Sequence, residues 1–127
     1  MRLLNFLLSA TLVLAASCAK QHSGTSPDLR KKVEFDLSQL DKDGLRGPAD
    51  GKVAVSYEFC IPNTEQCKAE VKAIDQTVQF MPGSRGRIGA GKDECLCIGT
   101  TRADYREVLG RLAELPYVKR IIQCFFE

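Results

Sequence analysis

The sequence predicts an α+β domain in residues 51–127, and three observations support this. Short stretches with an apolar side chain at every second position alternate with longer stretches of helical period. Proline and glycine separate these stretches. The chain has 127 residues, of which 44% are hydrophobic, which is enough for one modest core. One small domain with both strands and helices is therefore expected.

The first half of this domain is predicted to be a strand followed by a helix. Residues 53–60 alternate between large apolar and smaller or polar side chains, and Pro62 ends the strand. Asn63 and Thr64 both suit a helix cap, and the helix runs to about Asp75. Its apolar face carries Cys67, Val71 and Ile74.

The second half repeats the pattern in a different order. Residues 77–80 predict a short strand that Pro82 closes, and residues 95–100 predict a third strand. A second amphipathic helix ends at Pro116, and residues 117–126 form a final β-branched run. The apolar positions of the second helix are Tyr105, Val108, Leu109, Leu112 and Leu115.

The order strand-helix-strand-strand-helix-strand predicts a ferredoxin-like βαββαβ sandwich. In this arrangement a four-stranded antiparallel sheet carries both helices on one face. Right-handed crossovers place the first and third strands in the centre and the strands at 77–80 and 117–126 at the edges.

The start of the chain has the features of a secretory signal peptide. Arg2 precedes an apolar run from Leu3 to Ser17, which at 15 residues is shorter than the roughly 20 that a membrane-spanning helix needs. Small residues then lead to Cys18. We expect residues 1–17 to be a signal peptide, residues 18–50 a flexible tether, and residues 51–127 the domain.

The stretch Leu14-Ala15-Ala16-Ser17-Cys18 resembles the lipobox of bacterial lipoproteins. The resemblance implies export, cleavage before Cys18, and lipid, including palmitate, on the new terminus. It also implies anchoring in the cell envelope. Ala15 stands where this family usually has leucine, and the alternative is an ordinary signal cut after Ala19. Since Ala19 is not the aspartate of an inner-membrane retention signal, the periplasmic side of the outer membrane is expected.

The charge and the histidine content exclude several classes of protein. Without Arg2, 17 Lys and Arg stand against 16 Asp and Glu, which gives a net charge of +1. This charge predicts neither nucleic-acid binding nor membrane binding by charge alone. His22 is the only histidine, so imidazole catalysis and histidine-rich metal sites are not expected. We predict a protein without a cofactor or resident metal that is not an enzyme.

Five cysteines follow Cys18, and export makes all of them disulfide candidates. If Leu96 and Ile98 face the helices, the cysteines of the third strand lie on the open sheet face with Cys60. Strand pairing then favours a bridge from Cys60 to Cys95 or Cys97, with Cys60–Cys67 as the competitor. The candidates are Cys60, Cys67, Cys95, Cys97 and Cys124.

The alternative for the same thiols is a metal-binding or redox protein. Cys60, Cys95 and Cys97 on one face would supply thiolates for copper(I) or zinc. A redox pair would need a thiolate at a helix N-terminus, where only Cys67 lies.

The segment 82–93 and Glu58 both contain residue types that occur in functional sites. Gly86, Gly91 and Lys92 match the spacing of a phosphate-binding loop, but Asp93 replaces its serine or threonine and a strand follows. The segment is therefore expected to be a mobile hairpin link. Glu58 is expected to be a solvated strand residue.

Within that segment three basic residues are candidates for partner contact, namely Arg85, Arg87 and Lys92. We expect a non-enzymatic binding or structural module that meets an envelope protein or an anionic ligand through this segment and the open sheet face. Phe125 and Phe126 either pack at the sheet edge or form a small apolar patch.

Overall fold

The computed structural model describes residues 31–125, which form two antiparallel sheets and two helices. The predicted signal peptide, Cys18, His22 and Phe126 lie outside these residues. The strands are β1 (Leu45–Arg46), β2 (Val53–Ala54), β3 (Ser56–Pro62), β4 (Gln79–Pro82), β5 (Glu94–Thr100) and β6 (Ile122–Cys124). The helices are α1 (Glu65–Ile74) and α2 (Tyr105–Glu114), and a short 3₁₀ helix spans Leu37–Gln39. The α+β class is confirmed.

The larger sheet has the strand order β4–β5–β3–β6, and every neighbouring pair is antiparallel. Its centre is formed by β3 and β5, which pair along seven residues from Ser56 opposite Thr100 to Pro62 opposite Glu94. The smaller sheet pairs β1 with β2. The two long strands thus occupy the interior of the sheet and the two short ones its edges.

Local sequence signals explain where α1 begins and where α2 ends. The Thr64 hydroxyl accepts the Cys67 backbone N–H at 3.2 Å, so the predicted cap of α1 is confirmed. Helix α2 ends at Glu114, two residues before Pro116, because the residue before a proline is disfavoured in helical conformation.

One apolar core joins a face of the larger sheet to both helices. Tyr57 and Phe59 of β3 lie in the same buried cluster as Val71 of α1 and Leu109 and Leu112 of α2. Alternate residues of a strand point to the same face, so one side of β3 is directed towards the helices. The opposite side is then left to be covered by other parts of the chain.

Part of the segment predicted as tether packs on the domain. Val33 forms a parallel bridge with Ile121, and the Phe35 ring stacks on Tyr57 with 6.5 Å between ring centroids. Leu40 is buried in the core and directly follows the 3₁₀ helix Leu37–Gln39. Within residues 31–125, packed structure therefore extends into the segment predicted as tether.

Candidate functional site

The two cysteines of β5 lie in the core, not on the open face. Cys95 and Cys97 are both 0% exposed and belong to the cluster that contacts the helices. They pair in the sheet with Ile61 and Phe59, whose side chains point to the same side. The prediction that these cysteines lie with Cys60 on the open face was therefore wrong.

The error has a physical cause, which is that both faces of β5 are covered. Leu96 points away from the helices and is nevertheless only 2% exposed. When both faces are buried, alternation of apolar side chains cannot tell which set faces the helices. Free cysteine is also among the most frequently buried residue types, so it fits the core as well as leucine does.

Cys60 is separated from the other two thiols by this arrangement. It pairs with Leu96 on the opposite face and is half-buried. Burial, with Glu94 nearby, raises the pKa of Cys60 to about 11, and burial also raises the pKa of Cys97. These thiols are therefore protonated at neutral pH, which disfavours reactivity and metal binding.

The remaining cysteines are also free thiols in the structure. Cys67 lies in the first turn of α1 and packs partly against the core. Burial, together with the Glu58 carboxylate, raises the pKa of Cys124 to about 11. Within residues 31–125, no group of three or more His, Cys, Asp or Glu side chains is placed to hold a metal ion.

Glu58 is buried, so the prediction that it is a solvated strand residue was also wrong. Its side of β3 faces away from the helices, yet the residue is only 2% exposed. The carboxylate Oε1 accepts the backbone N–H of Ile88 at 2.7 Å. The segment between β4 and β5, residues 83–93, therefore folds back over the sheet; we call it the β4–β5 loop.

Gly86 allows this loop to approach the sheet closely. Its φ is +60°, and a Cβ atom there would lie 2.8 Å from the Leu96 side chain and 3.0 Å from Glu58 Oε1. A side chain at this position would thus meet both strain and steric conflict. The glycine was singled out by its spacing in the sequence, but its role here is contact with the sheet.

Hydrogen bonds within the loop give it a defined shape. The Arg85 carbonyl accepts the N–H groups of Gly89 and Ala90 at 3.0 and 2.7 Å. Glu94 Oε1 accepts the Gly91 N–H at 2.9 Å. The loop is therefore a hydrogen-bonded turn anchored to the sheet, which differs from the mobile hairpin link predicted from the sequence.

The three basic candidates of the loop separate into two kinds. Arg85 and Lys92 are exposed and line a surface groove. The Arg87 guanidinium instead lies over the Phe125 ring, with its central carbon 5.0 Å from the ring centroid. The other residues that line the groove are Gly83, Ser84, Ala90 and Gly91.

A second polar cluster, Tyr57 with Asp75, was not predicted from the sequence. Asp75 is buried, and its carboxylate accepts the Tyr57 hydroxyl and the Thr77 N–H and hydroxyl, the last two at 2.9 and 2.6 Å. Burial, followed by the bond to Asp75, raises the pKa of Tyr57 well above its usual value. Thr77 also accepts the Thr100 N–H at 3.0 Å, so the cluster links the end of α1 to β5.

Comparison with known proteins adds no relative: no family model, no curated protein and no solved structure matches this chain. In the described part of the chain, none of the helices has the length and apolar character needed to cross a bilayer.

Proposed function

We propose that this protein is an exported lipoprotein, held in the cell envelope by lipid on Cys18, whose domain is a non-enzymatic binding module. The leader and its resemblance to a lipobox support the first part. Acylation at several points would hold the protein far more firmly than one acyl chain, which binds membranes only marginally.

The observation that carries the binding role is the β4–β5 loop. It is fixed to the sheet by Glu58 and carries Arg85 and Lys92 outward. A loop of fixed shape loses less conformational entropy on binding than a mobile one, so modest contacts suffice for recognition. Since the loop covers the sheet face, partner contact uses the outer surface of the loop and not Glu58 or the cysteines.

We also propose that the domain is a ferredoxin-like sandwich. The strand order β4–β5–β3–β6 with antiparallel neighbours supports this arrangement. The single core that includes residues of both α1 and α2 is consistent with helices on one face of the sheet. The β1–β2 ribbon and the packed segment at residues 33–40 are additions to that arrangement.

The thiol-dependent alternative is less well supported. It required Cys60, Cys95 and Cys97 on one accessible face, whereas two of them are in the core. The two acids buried within residues 31–125 also serve structural hydrogen bonds, Glu58 with the loop and Asp75 with Tyr57. This use of the acids favours a binding module over an enzyme.

Mass spectrometry of the mature N-terminus tests the anchoring. We expect a terminus at Cys18 with lipid on its sulfur and amine, and we expect Cys18→Ser to release the protein from the membrane fraction. An unmodified terminus at Lys20 would contradict lipidation. The protein with Cys18→Ser should keep its thermal unfolding temperature, because the core of the described residues is formed between Val33 and Ile121.

Site-directed crosslinking in the envelope tests the binding role. We expect Arg85→Ala with Lys92→Ala to weaken capture of an envelope component. A matched control, Lys42→Ala with Arg111→Ala, removes the same two residue types from exposed positions outside the loop. Equal capture by the two double variants would contradict a role of the loop.

A further inference from the structure

We propose that the groove of the β4–β5 loop binds a single phosphate-type oxyanion. This inference rests on the proposed function, because it names the ligand of the same loop surface. The groove is lined by two cations, Arg85 and Lys92, and by the hydroxyl residue Ser84. None of its six lining residues is acidic. The charged residues that line the groove therefore favour an anion, while the Glu94 carboxylate lies beside the groove and accepts the Gly91 N–H at 2.9 Å.

The side chains that line the groove suit the geometry of a phosphate group. Arginine presents a planar fork of N–H donors that matches two oxygens of one oxyanion, and lysine adds a compact positive charge. The Ser84 hydroxyl adds a neutral donor. Three donors of different kinds on a short turn favour one compact anion over an extended acidic peptide.

Two carboxylates hold the loop in its shape through hydrogen bonds, and neither belongs to a residue that lines the groove. Glu58 holds Ile88 at the tip of the loop, and Glu94 holds Gly91 on its second limb. Each carboxylate is engaged by a backbone N–H, and neither residue lines the groove. The loop thus keeps Arg85 and Lys92 on one surface before any ligand arrives, which lowers the entropic cost of binding.

Arg87 is assigned a different role from its two neighbours. Its guanidinium lies over the Phe125 ring and it does not line the groove. Replacing Arg87 should therefore affect how the loop packs against the end of β6, and it should leave oxyanion affinity almost unchanged. Comparing these residues of one loop therefore distinguishes binding in the groove from nonspecific attraction of an anion to positive charge.

The oxyanion has two possible sources, a soluble phosphate ester and the headgroup of a phospholipid. Both present the same tetrahedral group, and the anchored protein would meet either one. Two cations are too few to bind a membrane by charge alone, since each basic residue near an anionic surface contributes only about 1 kcal/mol. Binding of either ligand, the soluble ester or the headgroup, thus requires recognition of the phosphate group itself.

The test is a titration of the full-length protein in an uncharged detergent, followed by NMR of its backbone amides. Inorganic phosphate and glycerol phosphate are the soluble probes, and chloride at equal ionic strength is the control. Vesicles of phosphatidylglycerol, compared with vesicles of phosphatidylcholine, form the lipid arm, which uses the Cys18→Ser protein because a lipid anchor would hold the chain on either kind of vesicle. We expect saturable shifts at Ser84, Ala90 and Gly91 with the soluble phosphates.

The variants decide whether the groove is responsible. Arg85→Ala with Lys92→Ala should weaken phosphate binding at least tenfold, since hydrogen bonds to charged groups contribute about a factor of ten each. Arg87→Ala, and the control Lys42→Ala with Arg111→Ala, should change it less than twofold. Unfolding temperatures of all variants show whether each one is folded.

Each result supports or overturns the proposal. Saturable binding of glycerol phosphate that is lost in the groove variant supports a soluble ligand. Retention on phosphatidylglycerol vesicles that inorganic phosphate displaces supports a headgroup. Absence of saturable shifts, or equal loss in the groove variant and the control, overturns the proposal. Lipidation of Cys18 is measured separately, so a negative titration leaves the anchoring result intact.

Discussion

Replacing Glu58 by alanine tests whether one buried carboxylate holds the β4–β5 loop to the sheet. The substitution removes the acceptor for the Ile88 N–H, which lies 2.7 Å from Oε1. It also leaves space beneath Gly86, because a Cβ atom added at Gly86 would lie 3.0 Å from that oxygen. Loss of a hydrogen bond to a charged group costs about 1.5–3 kcal/mol. We therefore expect the free energy of unfolding to fall by about 2–3 kcal/mol.

The variant Glu58→Gln separates the hydrogen bond from the charge. Its amide oxygen can still accept the Ile88 N–H, so we expect a loss of about 1 kcal/mol, typical of a neutral hydrogen bond that replaces a charged one. Glu114→Ala is the matched control, since it removes an exposed glutamate at the end of α2. It should change stability by no more than about 0.5 kcal/mol.

Urea unfolding followed by circular dichroism gives these free energies, and amide hydrogen exchange reports on the loop itself. We expect exchange at Ile88 to accelerate in Glu58→Ala before global unfolding does, because the loop opens locally. If Glu58→Ala were as stable as the wild-type protein, or if its Ile88 amide exchanged at the wild-type rate, the carboxylate would not be the anchor.

The remaining predictions concern the packing of two other positions. Gly44→Ala should lower the free energy of unfolding by more than about 2 kcal/mol, because the new Cβ would lie 2.3 Å from the Arg102 carbonyl oxygen. Gly83→Ala is its control in thermal melts, with the same sign of φ but no atom within 4 Å, and should cost only about 1 kcal/mol. Burial raises the pKa of Tyr57 above its unfolded value, so the folded state retains this proton as pH rises above about 10. Stability should therefore be complete below pH 10 and decline above it, and urea titrations should show a shallower decline for Tyr57→Phe. These two assignments would be contradicted if Gly44→Ala cost no more stability than Gly83→Ala, or if the stability of the wild-type protein and that of Tyr57→Phe declined equally at alkaline pH.

The sequence predicted the class of fold and most elements because their signals are local. Thr64 caps α1 through its own side chain, and Pro62 and Pro116 act on the residues beside them. The predicted and observed boundaries of an element differ where pairing with a distant strand decides them. The last strand was predicted over residues 117–126, whereas β6 spans only Ile122–Cys124, the length that pairs with β3.

The candidate site was predicted only in part, since its geometry depends on contacts between distant residues. The basic residues of the loop were recognised by their charge. The burial of Glu58 was not, because a glutamate on a strand gives no sign that an amide 30 positions later will cover it. The inward position of Cys95 was missed for the same reason, as the loop buries the other face of β5.

The docked segment at residues 32–34 sets how far the domain can stand from an anchoring membrane. Ile121 accepts the Glu34 N–H at 2.9 Å and donates its own N–H to Lys32 at 2.8 Å. The Lys32 ammonium also donates to the Ala113 carbonyl at 2.6 Å.

For a chain anchored at Cys18, these bonds shorten the stretch of chain that could extend between the membrane and the domain. A fully extended chain from residue 18 to residue 33 covers at most ~55 Å, compared with ~120 Å if the domain began at residue 51. The groove would then sample a thin layer close to the lipid surface. Any ligand of the groove would have to come to that layer, because a domain anchored in this way could not travel far to meet it.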